Sequence, residues 1–227
     1  MNRRYNIVVV GGGVTGLMAA TLLAKGPQRD ALNITLVDAA PRPVFSPDDD
    51  VALRVSAIAT GTAELFASVG AWEYTAATRV GPYTSMRIWD ENDTPESAAA
   101  LRFSADEFAI SQLGFIVENV LLQDVLLYQL DRTDTTLKFE SPIGRLRRTA
   151  RHYELDLESG ESLTADLVVG ADGARSFVRS AVGIETNEWP YEQTAFVTHL
   201  RPEKAHGGAA LQRFLRDGPL GILPLQD

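Results

Sequence analysis

Three glycines at the end of an apolar run constrain this chain more than any other feature. Residues Tyr5 to Val10 are rich in Val and Ile, which suits a buried strand. Gly11-x-Gly13-x-x-Gly16 follows, and from Val14 to Ala24 the residues Leu17, Ala20, Thr21 and Ala24 recur at helical spacing. A second apolar strand, Asn33 to Val37, ends at Asp38. Strand, glycine turn, helix and strand in this order make a parallel crossover of the length such a unit requires. Gly11 permits the tight turn, Gly13 lets the backbone approach a pyrophosphate, and Gly16 lets the helix pack closely. Val14 opens the helix, whose first N–H groups have no partner within it and face an anion with partial positive charge.

Asp38 stands about 20 residues after the last glycine, where an acid accepts hydrogen bonds from ribose hydroxyls. Bonds to a charged group contribute roughly 1.5–3 kcal/mol each. The same carboxylate repels a 2′-phosphate, which argues against NADP at this site. The motif alone does not separate FAD from NAD. The pair Arg3 and Arg4 before an uncharged stretch imitates a signal peptide, but Gly11, Gly12, Gly13 and Gly16 interrupt it, and strand–turn–helix accounts for every position.

Composition removes several other classes. The chain has 227 residues and is 45% hydrophobic and 22% charged, which is ordinary for a soluble globular protein. With 21 Lys and Arg against 30 Asp and Glu, the net charge is −9, a poor balance for nucleic-acid binding. The absence of Cys excludes disulfides, thiolate catalysis and iron–sulfur clusters. His152, His199 and His206 are dispersed without metal-ligand spacing.

Further along, Ala39 to Val51 is a Pro-rich acidic loop, and a helix is expected from about Thr60 to Val69. Tyr83 to Asp90 and Ala100 to Phe103 read as strands, and Asn119 to Leu130 as an amphipathic helix. Tyr153 to Val169 reads as a hairpin turning at Ser159–Gly160 and returning from Leu163. A turn over Gly170 to Gly173 then opens a short helix near Ser176. Strands are expected at Thr194–Leu200, Ala209–Leu215 and Leu220–Leu225. Arg145, Arg147, Arg148 and Arg151 form a local basic cluster that could attract NADH, quinone-pathway partners or acidic lipid head groups, but suits a solvated strand edge better.

Three segments carry a resemblance. They are Leu53-Arg54-Val55-Ser56-Ala57-Ile58, then Leu113-Gly114-Phe115-Ile116-Val117-Glu118-Asn119 with Gln123 one turn on, and Gly170-Ala171-Asp172-Gly173-Ala174-Arg175-Ser176 with Arg179 after it. Together they resemble the ubiquinone-biosynthesis aromatic hydroxylases (the UbiH/UbiF/VisC group), which are single-component FAD monooxygenases. The tail GPLGILPLQD resembles the strand that enters the active site in that group.

The resemblance implies FAD as cofactor and NAD(P)H as transient co-substrate. It implies oxygen delivery to the ring of a polyprenylated phenol, by a cytoplasmic enzyme working at the inner-membrane surface and able to meet other ubiquinone-pathway proteins. The expected fold is α/β: a Rossmann-like FAD-binding domain (1–75 and 104–186) with a partial mixed or antiparallel substrate-domain sheet (76–103 and 187–227), as in p-hydroxybenzoate hydroxylase. Rival functions are a flavin reductase or dehydrogenase on the same fold and a non-catalytic assembly subunit.

Gly11, Gly13, Val14, Gly16, Asp38, Arg54, Gln123, Asp172 and Gly173 are the expected cofactor residues. Arg54 could pair with a pyrophosphate oxygen or form a structural salt bridge. Gln123 could bond the cofactor or lie on an exposed helix face. Asp172 could bond flavin ribose groups, cap the following helix, or do both. Tyr191, His199 and Trp189 fall in the substrate region, where core packing explains them equally, so no general base is singled out. Two departures stand out. Asp38 replaces the longer Glu of many relatives, and no Gly-Asp-Ala-Ala-His segment follows. The chain is therefore expected to be a C-terminally truncated member that binds FAD weakly or not at all.

Overall fold

The computed structural model describes residues 4–226, so Arg3 and the terminal Asp227 lie outside it. In chain order the strands and helices are β1 (Tyr5–Val10), α1 (Val14–Lys25), β2 (Leu32–Val37), β3 (Val55–Ala59), α2 (Thr60–Ser68), α3 (Trp72–Thr78), β4 (Val80–Tyr83), β5 (Ser85–Asp90), β6 (Leu101–Ser104) and β7 (Gly114–Glu118). Then come α4 (Asn119–Leu130), β8 (Thr136–Lys138), β9 (Ile143–Arg148), β10 (Tyr153–Leu157), β11 (Ser162–Ala165), β12 (Leu167–Gly170), α5 (Phe177–Ala181), β13 (Ala209–Leu215) and β14 (Gly218–Ile222). They form two compact units. One takes the chain up to Phe45 with Val69–Ala71 and Val120–Glu188, and the other takes Ser46–Ser68, Trp72–Asn119 and Trp189 onward.

The first unit is built on a parallel sheet of order β12-β1-β2-β8. Ile7 to Val10 are buried in succession, as befits a strand covered on both faces. Helix α1 buries Gly16, Leu17, Met18, Ala20, Thr21 and Ala24, which is one continuous helical stripe. The antiparallel sheet β11-β10-β9 packs against the parallel one: Val8, Val10 and Val37 meet Leu155, Leu157 and Ala165, and Val178 of α5 joins them. Helix α4 buries six apolar residues, including Leu121 and Leu126.

The expected return strand from Leu163 to Val169 is in fact two strands in two sheets. The chain turns at Asp166, whose N–H donates to the Asn6 carbonyl at 2.8 Å, while its carboxylate accepts the Asn6 N–H at 2.9 Å. The basic cluster falls largely on β9, an edge strand, where Arg147 pairs across to Glu154.

In the second unit, the antiparallel sheet β3-β7-β4 and the mixed sheet β14-β13-β5-β6 share a small core of Tyr83, Ile116 and Ala210. The single strand expected over Tyr83 to Asp90 is divided at Thr84. There the chain passes from pairing with β7 to pairing with β13, and Thr84 N–H donates to the Gly208 carbonyl at 2.9 Å. The expected strand Thr194–Leu200 does not form: no strand among the described residues pairs with it, and Phe196 is 89% exposed. Residues 46–68 and 104–119 fall with the second unit, because β3 and β4 both pair with β7.

Leu36, the next-to-last residue of β2, is fully buried. Leu36→Ala is expected to lower the unfolding free energy by about 2–5 kcal/mol in urea titration. Leu22→Ala, on the exposed side of α1, is expected to stay within about 0.5 kcal/mol.

Candidate functional site

Both glycine-containing turns belong to the first unit, and they leave the carboxyl ends of neighbouring parallel strands. Strand β1 runs into Gly11 and β12 runs into Ala171. The pairing continues past the strand ends: Ala171 N–H donates to the Val10 carbonyl at 2.7 Å, and Gly11 N–H donates to the Val37 carbonyl at 2.8 Å. From β1 the chain steps outward to β2 and β8, then returns to the other side of β1 as β12. The point where strand order reverses therefore lies between β1 and β12, and in open parallel sheets ligands bind in the crevice outside the strand ends at that place.

The glycines divide into two kinds. Gly11 has φ +113°, and a Cβ on it would run into the Ala171 carbonyl, with the Asp172 nitrogen only 2.8 Å away. A Cβ on Gly16 would strike the Gly11 carbonyl and lie 3.2 Å from Ala171 Cβ. These two let the turns and α1 approach one another. Gly13 and Gly173 are exposed, and a Cβ on either would meet nothing within 4 Å. Each turn thus keeps one backbone position open to a ligand.

Gly12, which the spacing motif leaves unspecified, is held from two sides. Its N–H donates to the Asp38 carboxylate, and its carbonyl accepts from the Gln123 side-chain amide at 2.9 Å. Asp38 also accepts the Ala40 N–H at 2.6 Å. A carboxylate offers about four lone-pair sites, so acceptor capacity remains for ribose hydroxyls. Gln123 does not lie on an exposed helix face. It is half-buried and fixes the glycine turn, whereas Asn119, one turn earlier, accepts from the Ser56 hydroxyl at 2.7 Å within the second unit. Beside Gln123, burial raises the Asp124 carboxyl above its ordinary range against the opposing hydrogen bond from Phe45 N–H.

Helix α1 begins at Val14. Gly13 is its N-cap and supplies no side-chain cap, and the first turn holds no acid. The N–H groups at this end are therefore available to an anion. Asp172 is not the cap of α5; Ser176 is, accepting the Arg179 N–H at 3.0 Å. Asp172 supports that cap, accepting the Ser176 hydroxyl and the Val178 N–H, the latter at 3.0 Å. Arg179 donates to the Ala174 carbonyl at 2.7 Å and steadies the same turn.

Arg54 belongs to the second unit, just before β3. Its carbonyl accepts the Asn119 N–H at 3.0 Å, and its exposed guanidinium forms no salt bridge among the described residues. The expected cofactor residues did not include Gly12 or Ala171, although the unbroken Gly11-Gly12-Gly13 run and the Gly170–Gly173 turn contain them.

Two adjacent turns at a strand-order reversal, an uncapped helix and an acid at the tip of β2 define a dinucleotide-binding α/β unit. The chain belongs to the FAD binding domain family, whose model matches residues 4–206. It is 34% identical over 235 residues to the mitochondrial ubiquinone biosynthesis monooxygenase COQ6 of Xenopus tropicalis, covering 98% of this chain and 49% of that protein. It is 33% identical to the 3-demethoxyubiquinol 3-hydroxylase of Escherichia coli, covering 100% of this chain and 56% of that one. To the ubiquinone hydroxylase UbiL of Rhodospirillum rubrum it is again 33% identical, covering 97% and 49%. The chain thus spans about half the length of the curated relatives it matches.

Among solved structures, PqsL of P. aeruginosa in complex with 2-aminobenzoylacetate superposes with a TM-score of 0.75 at 18% identity, covering 99% of this chain and 59% of that one. A 2-methyl-3-hydroxypyridine-5-carboxylic acid oxygenase gives a TM-score of 0.70 at 17% identity, covering 99% and 56%. At these identities the likeness establishes the α/β fold.

The two kinds of glycine are expected to behave differently. Gly11→Ala is expected to cost roughly 1–3 kcal/mol or more in chemical denaturation, because left-handed backbone and a clash coincide. Gly13→Ala is expected to leave stability within about 0.5 kcal/mol.

Proposed function

We propose that this chain is the FAD-binding portion of an aromatic-ring monooxygenase of ubiquinone biosynthesis, which uses NAD(P)H and O2 to hydroxylate a polyprenylated phenol. One observation carries the proposal: two turns, each with an open glycine, stand side by side at the ends of β1 and β12 where strand order reverses. The activities by which these relatives are named, hydroxylases and monooxygenases of ubiquinone biosynthesis, support the choice of reaction.

The residues present fit the cofactor. The N–H groups at the start of α1, from Val14 onward, bind a pyrophosphate, and the open face of Gly13 lets that anion come close. The dipole contribution is about 0.3–1 kcal/mol. Asp38 accepts from ribose hydroxyls with the acceptor sites left by Gly12 and Ala40. Gln123 keeps the Gly12 peptide from rotating, so that these groups are set before the ligand arrives. The second turn, ordered by Asp172 and Ser176 and open at Gly173, receives the other part of the dinucleotide.

When bound, FAD supplies the electron transfer from NAD(P)H and the activation of oxygen, which no side chain provides. A prenylated substrate resides in a bilayer. No helix among the described residues is long and apolar enough to cross a membrane, and the proposed enzyme meets its substrate at the membrane surface.

The test uses the full-length gene product, incubated with FAD, NAD(P)H, 18O2 and a polyprenylphenol. One 18O atom is expected in the product, as a new hydroxyl on a ring carbon, and Gly13→Val, which fills the open face of the first turn, should abolish FAD uptake and product together. NAD(P)H oxidation that gives a product without 18O would instead mark a reductase or dehydrogenase.

A further inference from the structure

In the second unit, strand β7 ends on a buried charge. Gly114 to Val117 pair with β3 and β4, and Glu118 follows with a side chain only 3% exposed. A carboxylate so far from water needs a partner. Arg79, between α3 and β4, supplies it: its Nε lies 2.9 Å from Glu118 Oε2, and a terminal nitrogen donates to Oε1 at 3.3 Å. The two groups meet fork to fork.

Both partners also hold the loop that leads into β3. Glu118 Oε1 accepts the Ala52 N–H at 2.7 Å, and the other terminal nitrogen of Arg79 donates to the Asp49 carbonyl at 2.6 Å. Asn119, next after Glu118, donates its N–H to the Arg54 carbonyl at 3.0 Å. Residues 49–54 belong to neither helix nor strand, so these bonds stand in for a sheet ladder.

A buried ion pair is a weak source of stability, because desolvation offsets the attraction, and apolar residues of similar volume often replace it without loss. Here it has a geometric result. Asp48, Asp49 and Asp50 are exposed a few residues before Arg54, and a loose loop would let one of them pair with that guanidinium. With the loop held, Arg54 is exposed and forms no salt bridge among the described residues, so its charge stays available to an anion.

We infer that Glu118 and Arg79 are positioning residues: their buried pair holds the Asp49–Arg54 loop so that Arg54 meets a phosphate of the cofactor. The inference rests on the FAD reading above and assigns the pair an action through Arg54 alone.

The experiment measures FAD affinity of the full-length gene product, freed of flavin, by calorimetry. Arg79→Met combined with Glu118→Leu replaces the pair by apolar residues. This variant is expected to unfold near the wild-type temperature and to bind FAD about tenfold more weakly. Arg54→Met alone should also lose about tenfold, and adding the paired substitution to it should cost nothing further. Unchanged FAD affinity in the paired variant, losses that multiply in the Arg54→Met background, or wild-type affinity in Arg54→Met would overturn the positioning role and leave the FAD reading intact. A wild-type protein that takes up no FAD would overturn that reading itself, and the inference with it. If the paired variant does not fold, Glu118→Gln, which keeps an acceptor for Ala52 N–H and removes the charge, is compared with Arg54→Met in the same way. Failure of both to fold would make the pair a requirement of the fold and overturn the inference.

Discussion

The hydrogen bond from Ala171 N–H to the Val10 carbonyl carries the pairing of β1 and β12 one step past the sheet, and the site follows from it. With the second turn held that close, the first has no room for a side chain at Gly11, and α1 has none at Gly16. The glycines that a ligand can approach, Gly13 and Gly173, are those left over on the open side of the same two turns. Backbone packing fixes the inner face, and the outer face is thereby set for binding.

Side chains then stiffen what the backbone has arranged. Asp38 and Gln123 reach Gly12 from different elements, the tip of β2 and the first turns of α4, and hold opposite ends of its backbone. Asp172 and Ser176 do the equivalent at the second turn through the start of α5. Both acids expected to meet the cofactor therefore also order their own turns. A free carboxylate would be mobile, whereas one already committed to backbone N–H groups arrives in place and keeps lone pairs for a ligand.

Local chemistry made part of this legible in the sequence. Strand β1 and helices α1 and α4 could be read because apolar periodicity and glycine punctuation operate within a few residues. The nearness of the two turns was not written in either one; it came from the parallel register of strands far apart in the chain. Long-range pairing also explains the misreadings. Asp166 and Thr84 look unremarkable in sequence, yet each is where the chain leaves one sheet for another. Thr194–Leu200 has strand-like composition, but a strand needs a partner and none among the described residues pairs with it. The work of Gln123 was hidden for a related reason: helical spacing gave its face, and only the fold brought Gly12 to that face.

The central claim is that both turns grip one nucleotide. Amide hydrogen exchange of the chain, measured over a series of FAD concentrations up to saturation, tests it most directly. The account predicts that the amides of Gly11–Gly16 and of Asp172–Ser176 gain protection together, with the same dependence on FAD concentration. Protection of one turn without the other, or of neither, would contradict it.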